Sequence, residues 1–566
     1  MILWPYYSRL FLPEQPLPSS VTQKEIKVDS VFDTQSQVRS ESPVLKKSGS
    51  KSTALHDLKK SEIMFPEKEI TVDTPFYKGV ISSYGGTVKQ WTLKKYKYGN
   101  GDPVEILRHT DASNMAFAIF QSTGDTLNTA HYNFEVTGTE KKADSSLWVS
   151  FGAAGSGELR FTLNLGQGRK LEKVITFYQD KYVCDVLYRI YGLKSLSMNN
   201  EYLITWGSGL EPTEIDIEND MTYSKIYALL GTDLETYQAS EKVGKEVRYD
   251  GTTHWFGTRT KYFAAAIIPK SETGKGVLLS GESSTVEGKV ISHNYHGTLI
   301  MPLKEDSLQE SHFQLFLGPL EYNLITGFNV DLEKMMDFGW WWIRPIAKAI
   351  YHILMFLYAY IPNYGFVIIV FSVLLKVLFF PLTKASYKSM REMQKLQPEI
   401  ALLKEKYKED PQKLQKATMR LYKEHKVNPL GGCLPLLLQM PVFFALYPVL
   451  YSTIEFRSAP FIWWIKDLSQ PDTIMHLSYS LPFYGEKVNI LPMIWVVSML
   501  FQNIMTMKDP KQKMMVYLMP IIMLLFFNRL PSGLVLYWTV FNILSIVQQM
   551  SAQGKSGSES IPNMGI

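Results

Sequence analysis

One lysine interrupts a long apolar stretch. Between Phe366 and Pro381 every side chain is hydrocarbon or aromatic except Ser372 and Lys376. A charge near the centre of a lipid-spanning helix costs roughly 2.5–3.5 kcal/mol on insertion scales, so such a residue faces a protein interior or a water-filled cavity. The alternative is that Lys376 snorkels to the interface. It lies about 10 Å of helix before Thr383 at a rise of 1.5 Å per residue, which makes that reach difficult. Later apolar segments also carry polar groups: Gln439 on one, and Tyr537, Trp538, Asn542, Ser545, Gln548 and Gln549 on the last, too dense for a lipid-facing helix. Together with Ser372 and Lys376 they read as residues able to line a shared cavity.

Nothing else in the chain assembles a reaction centre. His254, His293 and His296 lie among scattered carboxylates in the first half. No nucleophile elbow, HExxH or phosphate loop accompanies them, so they read as surface or strand-end residues and the chain as no enzyme. The two cysteines, Cys184 and Cys433, fall in different regimes of the chain and form no CxxC or Cys/His cluster. No metal, cofactor or disulfide is expected. A formal charge of +5 is too small to argue for DNA or other nucleic acid as a partner.

The elements that position the lysine follow from how the chain is segregated. The mean hydropathy of −0.07 averages a polar first 330 residues with an apolar remainder. Residues 1–16 are apolar but too short to span; they read as the remnant of an N-terminal transmembrane anchor or an interfacial segment. Residues 17–62, rich in Ser, Lys and Gln, read as a flexible linker. Over 63–325, alternating runs such as Glu158–Leu165 and Tyr182–Ile190 separated by glycine turns predict an all-β sandwich. Three tryptophans, Trp340–Trp342, mark an interface. They introduce an amphipathic helix within 326–365 lying along it.

Residues 366–550 then read as the membrane core, with spans at about 366–383, 432–454, 490–507, 514–530 and 533–550. Between the first two lies 384–429, where twelve Lys and Arg face six Asp and Glu. Its 3-4-3-4 apolar spacing predicts a two-helix hairpin, with Pro398 kinking the first arm. Its cations include Lys384, Lys388, Arg391, Lys395, Lys404 and Lys406. So positive a short loop stays in the cytoplasm, as does the loop Lys508–Lys513. By alternation the sandwich is external and the tail 551–566 internal.

Four motifs carry a family likeness: Pro381–Met390, Val427–Pro435, Gln439–Pro441 and Pro531–Trp538. The chain closely resembles the YidC/Oxa1/Alb3 family of membrane protein insertases. Thr74–Tyr77, Ile81–Gly86 and Leu317–Pro319 are similar to the periplasmic β-supersandwich of the Gram-negative branch. The resemblance implies a periplasmic all-β supersandwich plus an α-helical bundle of five core transmembrane helices with a cytoplasmic helical hairpin, in the bacterial inner membrane. It implies a groove open to cytoplasm and lipid, closed to the periplasm, with Lys376 as the groove charge. The family most often carries Arg there; Lys keeps the charge but loses the bidentate fork. Ser372, Gln439 and Asn542 would line the groove, and Tyr537 and Trp538 would meet the incoming segment. Implied partners are nascent membrane proteins, membrane lipids, the Sec translocon, the ribosome and targeting factors. Two rival readings, a polytopic transporter or channel and a membrane-anchored sugar-binding or sugar-active domain, lack an inverted repeat and a convergent carboxylate–histidine pair respectively.

Overall fold

The computed structural model describes residues 66–557 except 109, 111–112, 240–244, 306, 429–433, 483 and 507–512. The expected anchor remnant 1–16, the linker 17–62, the loop Lys508–Lys513 apart from its last residue, and the tail beyond 557 lie outside the described residues. The chain divides into two compact units, Met1–Gly318 and Pro319–Ile566.

The first unit is β. Among the described residues it holds a six-stranded sheet, ordered Pro103–Leu107, Val88–Lys97, Tyr77–Ser82, Glu69–Asp73, Leu147–Val149, Thr139–Lys141, and a fourteen-stranded sheet. In the six-stranded sheet pairing is antiparallel except where Ile70 faces Leu147 in parallel register. Alternation in the sequence becomes alternation in burial: along Ser156–Gly166, Leu159, Phe161, Leu163 and Leu165 turn inward. Tyr77 stacks on Trp91 with ring centroids 4.3 Å apart. Lys173 is buried and donates to the carbonyls of Gly86 (2.6 Å) and Met115 (2.7 Å), and burial pulls its ammonium down to about 7. Cys184 is buried as a free thiol. His293 and His296 sit in the strand Lys289–Pro302, each held below the ordinary histidine range by burial.

The second unit is helical. Its main helices are α1 (Arg344–Tyr360), α2 (Tyr364–Leu378), α3 (Phe380–Lys395), α4 (Gln397–Lys406), α5 (Pro411–Glu424), α6 (Leu434–Ser452), α7 (Ile490–Thr506), α8 (Lys513–Phe527) and α9 (Ser532–Gly557). The last of these packs against α2, α6 and α7, while α1 packs against α6 and α2. Its stretch Ser532–Ser551 is long and apolar enough to cross a membrane alone, and α7 and α8 are shorter apolar helices.

Several expected boundaries shift. The span expected at 366–383 is broken: α2 stops at Leu378, α3 starts at Phe380, and the two bend by 63°. Pro381 sits in the first turn of α3, where its missing N–H costs nothing; continued into α2 it would have clashed with the carbonyl four residues back. The hairpin's first arm is likewise two helices, with Pro398 in the first turn of α4 rather than at a kink within one helix. Thr418, on α5, bonds its own helix at Leu414 O (2.8 Å). Pro441 and Pro448 lie inside α6. The final helix runs past Met550 to Gly557.

One element was not expected. The segment between α6 and α7, left between two expected spans, contains a two-stranded antiparallel ribbon, Thr473–Leu481 with Gly485–Asn489.

Candidate functional site: a polar seam around Lys376

The break after Leu378 puts Lys376 in the last turn of α2, where the negative end of the helix dipole favours a cation. Burial follows the helical face. Phe366, Val373, Leu374, Val377 and Leu378 are exposed, whereas Ile368, Ser372, Leu375 and Lys376 point inward. With only 8% of its surface exposed, Lys376 does not snorkel outward.

Its ammonium meets α9. Lys376 Nζ donates to Ser545 Oγ at 2.7 Å and lies 4.7 Å from the centre of the Phe541 ring. The Ser545 hydroxyl donates to Phe541 O at 2.8 Å. Around this pair, α3 and α9 add further polar contacts. Tyr387 Oη donates to Ser545 O at 3.4 Å, and Gln548 Nε2 donates to Thr383 Oγ1 at 2.9 Å. Thr383, Ser386 and Gln549 are buried beside them. No carboxylate pairs with Lys376 among the described residues. A buried cation with one hydroxyl and one aromatic face retains N–H capacity for an anion.

The other expected lining residues are placed differently. Ser372 is fully buried and donates to Ile368 O at 2.7 Å, within its own helix. Asn542 Nδ2 donates to Ser498 Oγ at 2.7 Å, joining α9 to α7 instead of facing Lys376. Gln439 is half-buried on α6, toward the Tyr537 hydroxyl. Tyr537 itself has 0% exposure, and Trp538 is caged by Phe443, Trp495 and Phe527 at ring separations of 5.1, 5.9 and 5.2 Å. Tyr537 thus lies inside the bundle and Trp538 is half-buried against these rings, although both are expected to meet an incoming segment. The seam instead uses Thr383, Tyr387, Ser545 and Gln548. A periodic signal for them existed: Phe541, Ser545, Gln548 and Gln549 fall at i, i+4, i+7 and i+8 on one helix face.

Of the hairpin cations, Lys384, Lys388, Lys395 and Lys406 are exposed, while Arg391 and Lys404 are half-buried. Lys395 pairs with Glu392 at 2.9 Å.

At the far end of the bundle, loops interlock. Asp472 Oδ2 accepts from Ile490 N (3.1 Å), Leu491 N (2.7 Å) and Trp464 Nε1 (2.9 Å), capping α7. Ser532 N donates to Gln470 O and Gly533 N to Leu468 O. Asn489 Nδ2 donates to Asn528 O at 2.6 Å. These contacts join the loops to one another at the end of the bundle where α9 begins, whereas Lys376 lies near the other end of α2.

Comparison with known proteins gives consistent matches. A family model described as "60Kd inner membrane protein" matches residues 356–558, and one described as "YidC periplasmic domain" matches 69–353. The membrane protein insertase YidC of Chlorobaculum parvum is 37% identical over 495 residues, 85% of this chain and 82% of the relative. That of Chloroherpeton thalassium is 33% identical, covering 98% of this chain and 94% of the relative. Among solved structures, an active YidC insertase with its first transmembrane domain resolved covers 86% of this chain and 93% of its own, at 20% identity and a TM-score of 0.36. A galactose mutarotase related enzyme from Lactobacillus acidophilus covers 44% of this chain and 97% of its own, at 10% identity and a TM-score of 0.29.

Proposed function

The chain belongs to the YidC family of membrane protein insertases, and from that premise we propose that it inserts substrates along the polar seam between α2–α3 and α9. The observation that carries this reading is Lys376: a buried cation whose contacts are Ser545 and the Phe541 ring. Membership in the insertase family decides against the transporter and sugar-active readings.

The mechanism is ATP-independent and non-covalent. A substrate's short polar end enters the seam, where hydroxyl and amide groups replace water. Each unsatisfied polar group in hydrocarbon costs several kcal/mol, so a polar wall lowers the barrier in proportion to the dry path it removes. The path is short here. Fifteen residues of α2 span about 22 Å, against about 30 Å of hydrocarbon. Lys376 attracts acidic residues of the translocated end, and burial of the apolar segment in lipid completes the transfer.

In this reading five spans form the core, with α2, α6, α7, α8 and α9 in the inner membrane and α1 along its surface. The basic hairpin of α3–α5 and the C-terminus face the cytoplasm, and the β unit faces the periplasm. The hairpin receives nascent membrane proteins, with the ribosome, targeting factors or the Sec translocon as hand-over partners. Complementation tests the proposal: the chain should restore insertion of a small single-span substrate in cells depleted of their own insertase. Failure with the protein present in the membrane would refute it.

A further inference from the structure

The ribbon between α6 and α7 has no role in the seam. Its first strand alternates Met475, Leu477, Tyr479 and Leu481 with His476, Ser478 and Ser480, the period of a strand with one apolar face. Pairing extends the division to the second strand, since Val488 faces Met475 and Lys487 faces His476. Yet this apolar face is bare: Met475, Tyr479 and Leu481 are exposed, Tyr479 by 68%. A lone two-stranded ribbon is marginal in water. An apolar surface of this kind marks something that covers it.

Where the ribbon is held says what that is. Its second strand ends at Asn489 and α7 begins at Ile490, with no linker between them. Asn489 is buried and donates to Asn528 O and Oδ1, while Asn528 Nδ2 donates to Lys487 O (2.8 Å) and Tyr484 O (3.3 Å). The ribbon base is therefore bolted to the loop that joins the last two helices. From there the exposed apolar stripe continues along α7 through Met493, Ile494, Val497, Phe501 and Ile504, the surface that faces lipid if α7 spans. Tyr479, with exposed Trp463 in the preceding loop, belongs to the amphipathic aromatic class that settles at headgroup level.

We propose that this ribbon is a membrane-surface anchor: Met475, Leu477, Tyr479 and Val488 lie in the headgroup–acyl boundary of the leaflet at the end of the bundle where α9 begins, with His476, Ser478, Ser480 and Lys487 toward water and lipid phosphate. The inference rests on α7 being a membrane span. The covering surface is lipid, continuous with that around α7.

Single cysteines at Met475, His476, Tyr479, Ser480 and Val497, in the full chain with Cys184→Ser and Cys433→Ser, carry nitroxide labels. The protein is reconstituted in phosphatidylethanolamine–phosphatidylglycerol vesicles, and collision with oxygen is compared with collision with a water-soluble nickel chelate. The expected result is an oxygen-to-nickel ratio several-fold higher at 475 and 479 than at 476 and 480. Uniform nickel access at all four would mean a solvated ribbon and overturn the proposal. Exclusion of both reagents at 475 and 479 would mean cover by protein and overturn it equally. Position 497 separates the two layers of inference: if it reads as lipid while 475 and 479 do not, the anchor alone fails, whereas nickel access at 497 fails the membrane reading of α7.

Discussion

Lys376 Nζ and Ser545 Oγ meet at 2.7 Å across the packing of α2 on α9, and no carboxylate joins them among the described residues. An ammonium so placed is an attractor with spare donors. Lys376→Glu should reduce insertion of single-span substrates with acidic translocated ends by tenfold or more, since about 1.4 kcal/mol of lost attraction corresponds to a factor of ten. Lys376→Arg should keep most activity, and substrates with uncharged ends should respond weakly to both changes. Protease protection of radiolabelled substrate reads the outcome; equal activity of the Glu and Arg variants would remove the electrostatic role.

Trp538 packs against three aromatic rings, and its indole N–H has no acceptor among the described residues. Trp538→Ala leaves a cavity and should destabilise the helical unit by about 3 kcal/mol. Trp538→Phe keeps one ring, removes the unpaired donor, and should cost far less. Thermal unfolding in lipid nanodiscs ranks the two. An alanine variant as stable as the phenylalanine one would show that the cage does not hold α9 in place.

Which parts of this arrangement the chain declares in advance depends on the range of the forces involved. The inward lysine was legible because its cost is local: one charge in an apolar run. Its partner was not, because Ser545 lies 169 residues away and many polar groups on the last helix were candidates. The break at Phe379 escaped notice for a related reason. Phe379 and Phe380 prolong the apolar run through the bend, so hydropathy continues where the backbone turns. The ribbon's alternation from Met475 to Leu481 is legible, but its pairing into a hairpin depends on a second strand of only five residues. Tyr537 and Trp538 read in the sequence as contacts for an incoming segment, but only packing decides whether an aromatic ring faces lipid or fills a core.

Asp472 holds three donors on a single oxygen. Burial pushes its carboxyl above the ordinary range, while the hydrogen bonds from Trp464, Leu491 and Ile490 oppose that rise. Asp472→Ala should lower stability by about 2–3 kcal/mol through two orphaned helix N–H groups and an indole. Asp472→Asn keeps an acceptor oxygen and should retain most of the cap. Denaturant or thermal melts of the two variants decide, and near-identical losses would mean that the carboxylate charge matters more than the hydrogen bonds.

Gly365 sits where the start of α2 touches the loop before α7. A β-carbon there would lie 1.9 Å from Phe461 Cδ2, and Phe461 packs edge-on against Phe366 with centroids 5.3 Å apart. Gly365→Ala should therefore cost about 1–3 kcal/mol by displacing that ring. Adding Phe461→Ala should recover part of the loss, giving a coupling energy that two independent sites would not show. Strict additivity of the two changes would place the strain elsewhere.

Glu455 follows α6 in the loop and accepts from Tyr351 Oη at 2.6 Å, tying α1 to the end of α6. Burial, reinforced by the charge of Glu321, raises its carboxyl to about 7, while hydrogen bonds from Tyr351 and Thr453 oppose the rise. The native state therefore holds a proton that the unfolded chain has released between roughly pH 4.5 and 7. Stability from this group is fully present below about 4.5 and is lost as pH rises through that window. Glu455→Gln keeps an acceptor for Tyr351 and has no charge to bury. It should match the parent at pH 5 and exceed it by roughly 1–2 kcal/mol at pH 8. Thermal unfolding of both proteins in the same lipid at the two pH values checks the sign. A gain of equal size at pH 5 and pH 8 would mean that the substitution acts through packing rather than through the buried proton.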